Sequence, residues 1–122
     1  LEAAPDHFKF LPYMPHGSPI LRSALQNCDL YLEVPLEPPG LSALEAGLMG
    51  KQSVLSKSTW TTEEFGDMAI SVDPTLPDEI LLGVEEGLSK KNTNENNLVK
   101  RIMEKHILPH CLKPLINIVQ GE

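Results

Sequence analysis

Proline constrains this chain more than any other residue type. Eleven prolines stand in 122 residues, and most fall into three groups: Pro12, Pro15 and Pro19; Pro35, Pro38 and Pro39; and Pro74 and Pro77. Proline fixes φ and lacks a backbone donor, so each group ends an element or begins a helix. The chain is therefore predicted to fold from short elements separated by turns.

The segments between the prolines alternate in hydrophobic pattern. Apolar runs rich in strand formers predict strands at residues 8–11, 30–34, 53–56 and 68–72. Helical spacing predicts helices behind Ser18-Pro19, after Pro39-Gly40 as far as Gly50, over residues 78–90, and from residue 97 to about 119 with a break at Pro109. Residues 89–97 are polar and are expected to form an exposed turn. This order is typical of an α/β protein with a mainly parallel, Rossmann-like sheet flanked by helices.

The composition excludes several classes of protein. Ten basic and seventeen acidic residues give a net charge of −7, so binding of nucleic acid through its phosphates is not expected. Hydrophobic residues make up 41 %, enough for a core, yet no apolar run approaches the roughly 20 residues of a transmembrane helix. The two cysteines lie far apart and predict no disulfide framework. We therefore expect a soluble, cytoplasmic domain.

Two carboxylates with seven residues between them flank the start of the second predicted helix. Glu37 precedes this helix and Glu45 lies within it. Its first amides, those of Gly40, Leu41 and Ser42, lack helical acceptors and carry the positive end of the helix dipole, which suits a diphosphate. In open parallel sheets, ligands bind outside the carboxyl ends of the strands, where this helix should begin.

The spacing along the helix suggests what else could bind there. Glu45 lies about 7 Å beyond Gly40 at 1.5 Å per residue, which matches the step from a pyrophosphate to a ribose. A carboxylate can accept hydrogen bonds from both vicinal hydroxyls of a ribose. Glu37 is expected to meet sugar hydroxyls beyond the phosphates. The geometry therefore allows a nucleoside diphosphate sugar.

This segment resembles the E-x7-E motif of the retaining glycosyltransferases of family 4, which adopt the two-domain GT-B fold. Flanking pieces extend the resemblance over about residues 8–88: Asp29-Leu-Tyr-Leu, Glu45-Ala46 with Gly50-Lys51, and Glu64-Phe-Gly-Asp67 followed by Ala69-Ile-Ser-Val-Asp-Pro74. The chain departs from the family pattern at three prominent positions: Pro12, Pro39 and Gln52. The stretch before Glu37 is also one residue short.

The resemblance implies that residues 1–122 form the later part of a C-terminal donor-binding domain, whose N-terminal acceptor domain is absent. It implies that Glu37 is the catalytic contact to the transferred sugar and that Glu45 binds the ribose. The Gly40, Leu41 and Ser42 amides would bind the diphosphate. The intact protein would transfer a hexose without a metal or cofactor, in the cytoplasm or at a membrane surface, and this part alone would be inactive.

Other functions fit the same pattern. A sugar-nucleotide epimerase or a phosphorylase shares the architecture. A non-catalytic nucleotide-sugar-binding or assembly module would expose an apolar surface instead of a polar cleft. A response-type or carrier domain gives no reason for Glu37 and Glu45 at this spacing. Open strand edges are expected to favour self-association.

Several polar residues have simpler interpretations. His106 and His110, with Cys111, have zinc-like spacing, but Pro109 disturbs their helix, so they are interpreted as surface or packing residues. Cys28 is assigned to the core. His16 is assigned to a ligand-side position or a plain loop position, and residues 58–62 are expected to present hydroxyls near the sheet edge. Trp60 is interpreted as a packed or capping residue, with stacking on a ligand or partner as the alternative. Glu64 is expected to make a structural contact, and Glu63-Glu64 and Glu85-Glu86 to form solvated faces.

Overall fold

The computed structural model describes residues 8–90 and 95–107. Within these ranges, helices and strands alternate along the chain: α1 Pro19–Asn27, β1 Tyr31–Glu33, α2 Leu41–Leu48, β2 Ser53–Ser56, α3 Thr59–Phe65, β3 Ile70–Val72, α4 Pro77–Ser89 and α5 Glu95–Ile102. A π-helical turn, Met103–Ile107, continues α5. The break predicted at Pro109 and the helix predicted beyond it lie outside the described residues.

The three strands form one parallel sheet in the order β1-β2-β3. The register pairs Leu32 with Val54 and Val54 with Ile70. Parallel neighbours cannot be joined by a tight hairpin, so α2 and α3 serve as the crossovers between consecutive strands. The α/β, Rossmann-like prediction is therefore confirmed.

The two faces of the sheet are covered by different helices. Adjacent strand residues point to opposite faces of the sheet, so the side chains of Val54 and Leu55 point into different helix layers. Val54 faces α4, which lies so close that a Cβ on Gly83 would come within 2.8 Å of Val72 and 3.3 Å of Val54. Leu55 faces the layer that contains α2, α3 and α5.

The main hydrophobic core lies on the Leu55 face. Its buried members are Ala43, Leu55, Phe65, Ala69, Leu98 and Ile102. α5 contributes Ile102, whose Cδ1 would lie 2.3 Å from a Cβ on Gly47, so that α2 and α5 pack closely. Trp60 packs against this core with its ring centroid 6.1 Å from that of Phe65, which confirms the packing interpretation of Trp60.

The first helix begins where the sequence predicts. Ser18 is the N-cap of α1 and its Oγ accepts from the Leu21 amide at 3.3 Å, with Pro19 in the first turn. Leu25 is buried, whereas Cys28 is only partly buried at the C-cap. The assignment of Cys28 to the core is therefore wrong, because this residue leaves the helix at the C-cap and its Sγ donates to the Leu25 carbonyl at 3.1 Å.

The strand predicted at residues 8–11 is not formed. These residues have no regular secondary structure, and the side chains of Phe10 and Leu11 are 66 % and 62 % exposed. A strand needs the backbone groups of a neighbour, and the described sheet ends at β1. The strands predicted at residues 30–34 and 68–72 are also shorter, at three residues each.

The sequence predicts hydroxyls near the sheet edge at residues 58–62 and no helix there, but this segment begins α3. Ser58 is the N-cap and its Oγ accepts from the Thr61 amide at 3.1 Å. Thr61 is fully buried and its hydroxyl donates to the Ser56 carbonyl at 2.7 Å. The Thr61 hydroxyl thus joins α3 to β2.

The last described helix, α5, begins at Glu95, two residues before the predicted start.

Candidate functional site

Two side chains of β1, those of its first and last residues, lie near the amino end of α2. Tyr31 and Glu33 are two residues apart and so share the α2 face of the sheet. The Tyr31 hydroxyl donates to Glu33 Oε1, and the Gly40 amide donates to Glu33 Oε2 at 3.2 Å. A carboxylate at this position is stabilised by the positive end of the helix dipole. Glu33 therefore occupies part of the region where the sequence predicted a diphosphate.

Tyr31 stays protonated beside the carboxylates of Glu33 and Glu45. Burial of the Tyr31 phenol raises its pKa, and the hydrogen bond and negative charge of Glu33 raise it further. A hydrogen bond from the Ser42 side chain opposes this change, whereas the negative charge of Glu45 adds to it. Tyr31 is therefore a neutral hydrogen-bond donor, and it lies close enough to sense both glutamates.

The three amides predicted to bind a diphosphate differ in their surroundings. The Gly40 amide already donates to Glu33. The amides of Leu41 and Ser42 have no acceptor among residues 8–90 and 95–107. A Cβ on Gly40 would meet nothing within 4 Å, so the space beside this glycine is open. Two of the three predicted amides are thus available to an anion.

Glu45 lies in the second half of α2 and contacts the loop that precedes α1. Its Oε1 is 2.5 Å from His16 Nδ1, and its Oε2 accepts from the Gly17 amide at 2.9 Å. The Glu45 side chain is 17 % exposed and that of His16 is 48 % exposed. Each carboxylate oxygen therefore has one partner from the 15–18 loop. His16, which the sequence left undecided between a ligand-side and a plain loop position, lies beside Glu45.

A cleft of about 340 Å³ separates α1 from α2. Its lining comprises Gly17, Ser18, Arg22, Leu25, Glu45, Leu48 and Met49. The walls are mainly apolar, and the charged groups among these lining residues are Glu45 and Arg22. Such walls suit an apolar or aromatic group, and the Glu45 carboxylate can accept hydrogen bonds from hydroxyls of the same ligand.

Glu37 is not brought into this cluster. Its side chain is exposed, and no hydrogen bond or ion pair joins it to the part of the chain that the structure describes. The loop that carries it is held at both ends, because Pro39 is buried and the Ser56 hydroxyl donates to the Pro35 carbonyl at 2.6 Å. The structure thus groups Glu45 with the cleft and leaves Glu37 on the outer surface of the loop.

A second Glu–His contact lies at the carboxyl end of α3. Glu64 contacts His106 Nε2, and Lys105 Nζ is 3.8 Å from its other oxygen. Arg101 Nε donates to the Glu64 carbonyl at 2.8 Å, and Lys105 Nζ donates to the Glu63 carbonyl at 2.7 Å. These contacts attach α5 and its π-helical turn to α3. The structural contact predicted for Glu64 is therefore confirmed. The solvated face predicted for Glu63-Glu64 is wrong for Glu64, whose side chain is only 13 % exposed because His106 and Lys105 cover it.

Comparison with protein-family models, with curated proteins and with solved structures finds no match to this chain. Among the described residues, no helix combines the length and apolar composition that a membrane span requires. Over the same ranges, no three His, Cys, Asp or Glu side chains are grouped as ligands for a metal ion. His110 and Cys111 of the zinc-like pattern lie outside those ranges.

Sequence reasoning missed two members of the site, Glu33 and Tyr31. The available signal was their spacing of two within a predicted strand, which puts both on one face just before a helix start. It selected Glu45, which lines the cleft, and the ribose contact predicted for Glu45 stays a prediction. The contact of Glu45 with His16 spans 29 positions of sequence, and no local pattern reports such a separation.

Proposed function

We propose that this chain is the later part of the donor-binding domain of a retaining glycosyltransferase and binds a nucleoside diphosphate sugar beside α2. The observation that carries the proposal is Glu45, a mostly buried carboxylate on the wall of a cleft, about one helical turn beyond the available amides of Leu41 and Ser42. Transfer of the sugar is proposed for a longer protein that includes the acceptor domain.

The chemistry of the site supports this proposal. A departing diphosphate develops negative charge, which backbone amides at a helix start stabilise without rearranging. Leu41 and Ser42 supply two such amides. Glu45 would accept the ribose hydroxyls, and the cleft between α1 and α2 would hold the base. Glu37, on the outer surface of its loop, would contact the sugar from the side of the acceptor domain.

Glu33 adds a requirement that the sequence pattern does not include. Its carboxylate bonds the Gly40 amide and would repel a diphosphate at close range. The proposed diphosphate contacts therefore fall on Leu41 and Ser42, and the role predicted for the Gly40 amide requires the Glu33 side chain to turn away. Replacing Glu33 by Gln should then strengthen diphosphate binding several-fold.

An amide-resolved NMR titration with UDP, GDP and ADP tests the proposal. We expect chemical-shift changes centred on residues 40–45 and on the 15–18 loop, with one base preferred. Glu45→Ala should abolish them. Glu85→Ala is the matched control, because Glu85 is an exposed carboxylate on α4, and α4 covers the face of the sheet opposite to α2. Absence of shifts at millimolar nucleotide, or equal shifts in the Glu45 variant, contradicts the proposal.

A non-catalytic assembly module is the second candidate, and exposed apolar side chains favour it. Leu81, Leu82 and Leu88 of α4 are 57 %, 64 % and 59 % exposed on the helix that covers the second face of the sheet. Scattered exposed leucines are ordinary, but three on one helix are suited to a protein contact.

Sedimentation velocity distinguishes this candidate from nucleotide binding. An assembly module that associates with itself should form larger species as its concentration rises. Leu81→Lys with Leu82→Lys should abolish them, whereas Glu85→Lys should not. A monomer at all concentrations that binds nucleotide contradicts a self-assembly module and supports the donor-binding proposal.

A further inference from the structure

The hydrogen bonds of Glu45 leave half of its acceptor capacity unused. An ionised carboxylate has about four lone-pair positions, two on each oxygen. His16 Nδ1 occupies one position on Oε1, and the Gly17 amide occupies one on Oε2. One position therefore remains on each oxygen, which is the arrangement that two vicinal hydroxyls require.

The loop that supplies these two donors is built as a rigid turn. The Ser18 amide donates to the Pro15 carbonyl at 3.1 Å, which closes a four-residue turn. Gly17 has φ +71°, the conformation that a type II turn needs at its third residue. Pro15 and Pro19 restrict the backbone on either side of this turn. His16 therefore reaches Glu45 from a backbone that has little freedom to move.

We propose that His16 is a positioning residue that fixes the Glu45 carboxylate for recognition of a ribose diol. The inference rests on the proposed nucleotide binding and adds the residue that makes this binding selective for ribose. Without His16, the Gly17 amide alone would hold the carboxylate through one oxygen. The carboxylate could then rotate about its last torsion, and its acceptor positions would no longer stay aligned with a pair of hydroxyls. With His16, the carboxylate is oriented before the ligand arrives.

The selectivity between a ribonucleotide and its 2′-deoxy counterpart measures this role directly. Both ligands share the base and the diphosphate, so a general disturbance of the site weakens both equally. We expect the wild-type chain to bind the ribonucleoside diphosphate about 10-fold more tightly, which corresponds to one hydrogen bond to a charged acceptor. The probe is whichever of UDP, GDP and ADP the wild type binds best, paired with dUDP, dGDP or dADP.

Two substitutions separate positioning from packing. His16→Ala should reduce the ribose preference to about 3-fold or less, while the deoxynucleotide binds nearly as before. His16→Asn should restore most of the preference, because the Asn amide nitrogen stands close to where His Nδ1 stood. His106→Ala is the matched control, since it removes the histidine of the other Glu–His contact and should leave the ratio unchanged.

Three other outcomes would overturn either the positioning role of His16 or the proposed nucleotide binding. If His16→Ala weakens both nucleotides equally or leaves the ratio unchanged, His16 does not position Glu45, and nucleotide binding still stands. If the wild type binds both nucleotides with equal affinity, Glu45 does not read the diol and the positioning role is overturned. If the wild type binds neither, the proposed function fails and this inference fails with it.

Discussion

Two Glu–His contacts within residues 8–90 and 95–107 look alike by burial and differ in their surroundings. We refer to His16 with Glu45 as the cleft pair and to His106 with Glu64 as the anchor pair. Their glutamate side chains are 17 % and 13 % exposed, and their histidine side chains are 48 % and 37 % exposed. Burial alone therefore does not separate a ligand site from a structural contact.

The neighbours of each pair distinguish them. The anchor pair is accompanied by Arg101 and Lys105, which bind carbonyls at the end of α3, and by core residues of α5. These groups hold one helix end against another. The cleft pair borders an open space lined by apolar side chains. Groups around the anchor pair stabilise the fold, whereas groups around the cleft pair leave room for a ligand.

The largest expected effect comes from emptying the core behind the anchor pair. Ile102 is 1 % exposed and packs against α2. Ile102→Ala should lower the free energy of unfolding by about 2–5 kcal/mol, because it removes apolar contacts and leaves a cavity. Urea denaturation measures the change. Leu88→Ala, at an exposed position, is the control and should cost far less. Equal losses in both variants would show that α5 does not pack as described.

The next effect concerns the loop that carries Glu37. The Ser56 hydroxyl is buried and donates to the Pro35 carbonyl. Ser56→Ala should cost about 1–2 kcal/mol, since it leaves the partly buried Pro35 carbonyl without its donor. Urea denaturation measures the cost, and the amide chemical shifts of Leu36 and Glu37 should change while those of Glu64 and His106 stay the same. Ser89→Ala, on the exposed end of α4, should leave stability and these shifts nearly unchanged.

The two glutamates themselves should differ moderately in their contribution to stability. Glu64→Ala removes the contacts with His106 and Lys105 and should cost about 1–2 kcal/mol. Glu45→Ala removes contacts to one surface loop and should cost less than about 1 kcal/mol. Thermal unfolding of both variants under one condition tests the order. A larger loss in the Glu45 variant would reverse the assignment of the two pairs.

The smallest expected effect concerns Asp73, an exposed carboxylate that belongs to neither pair and serves as a reference for both. Hydrogen bonds from the Thr75 hydroxyl at 2.7 Å and the Thr75 amide at 2.9 Å lower the pKa of Asp73. A lowered pKa means that this contact stabilises the fold above the pKa of the unfolded chain, and that the stabilisation is lost as pH falls through the folded value. Thr75→Val should raise the pKa of Asp73 toward its ordinary range, measured by NMR titration of its carboxyl carbon.

The chain's local signals predicted the helix starts well. Ser18-Pro19 and Pro39-Gly40 begin α1 and α2 as expected, because capping and proline geometry act within a few residues. The apolar run at residues 8–11 predicted a strand that is not formed, since a strand also depends on a neighbouring strand. α3 was missed because a Ser/Thr-rich segment gives a weak helical pattern, although parallel strands require a crossover between them.

The candidate site was predictable only in part. Glu45 could be selected from its position after a strand and a helix start. The histidine partners of Glu45 and Glu64 could not be predicted, because His16 is 29 positions from Glu45 and His106 is 42 positions from Glu64. Such contacts depend on how α1 and α5 pack, which no local pattern encodes.

The most direct test titrates Glu45→Gln and Glu64→Gln side by side with the preferred nucleoside diphosphate, followed by amide NMR. Each substitution removes one negative charge and nearly preserves shape. We expect Glu45→Gln to lose the shift changes at residues 40–45 and Glu64→Gln to reproduce those of the wild type. Binding that survives in the Glu45 variant, or is lost only in the Glu64 variant, would contradict the assignment of the ligand site to the cleft pair.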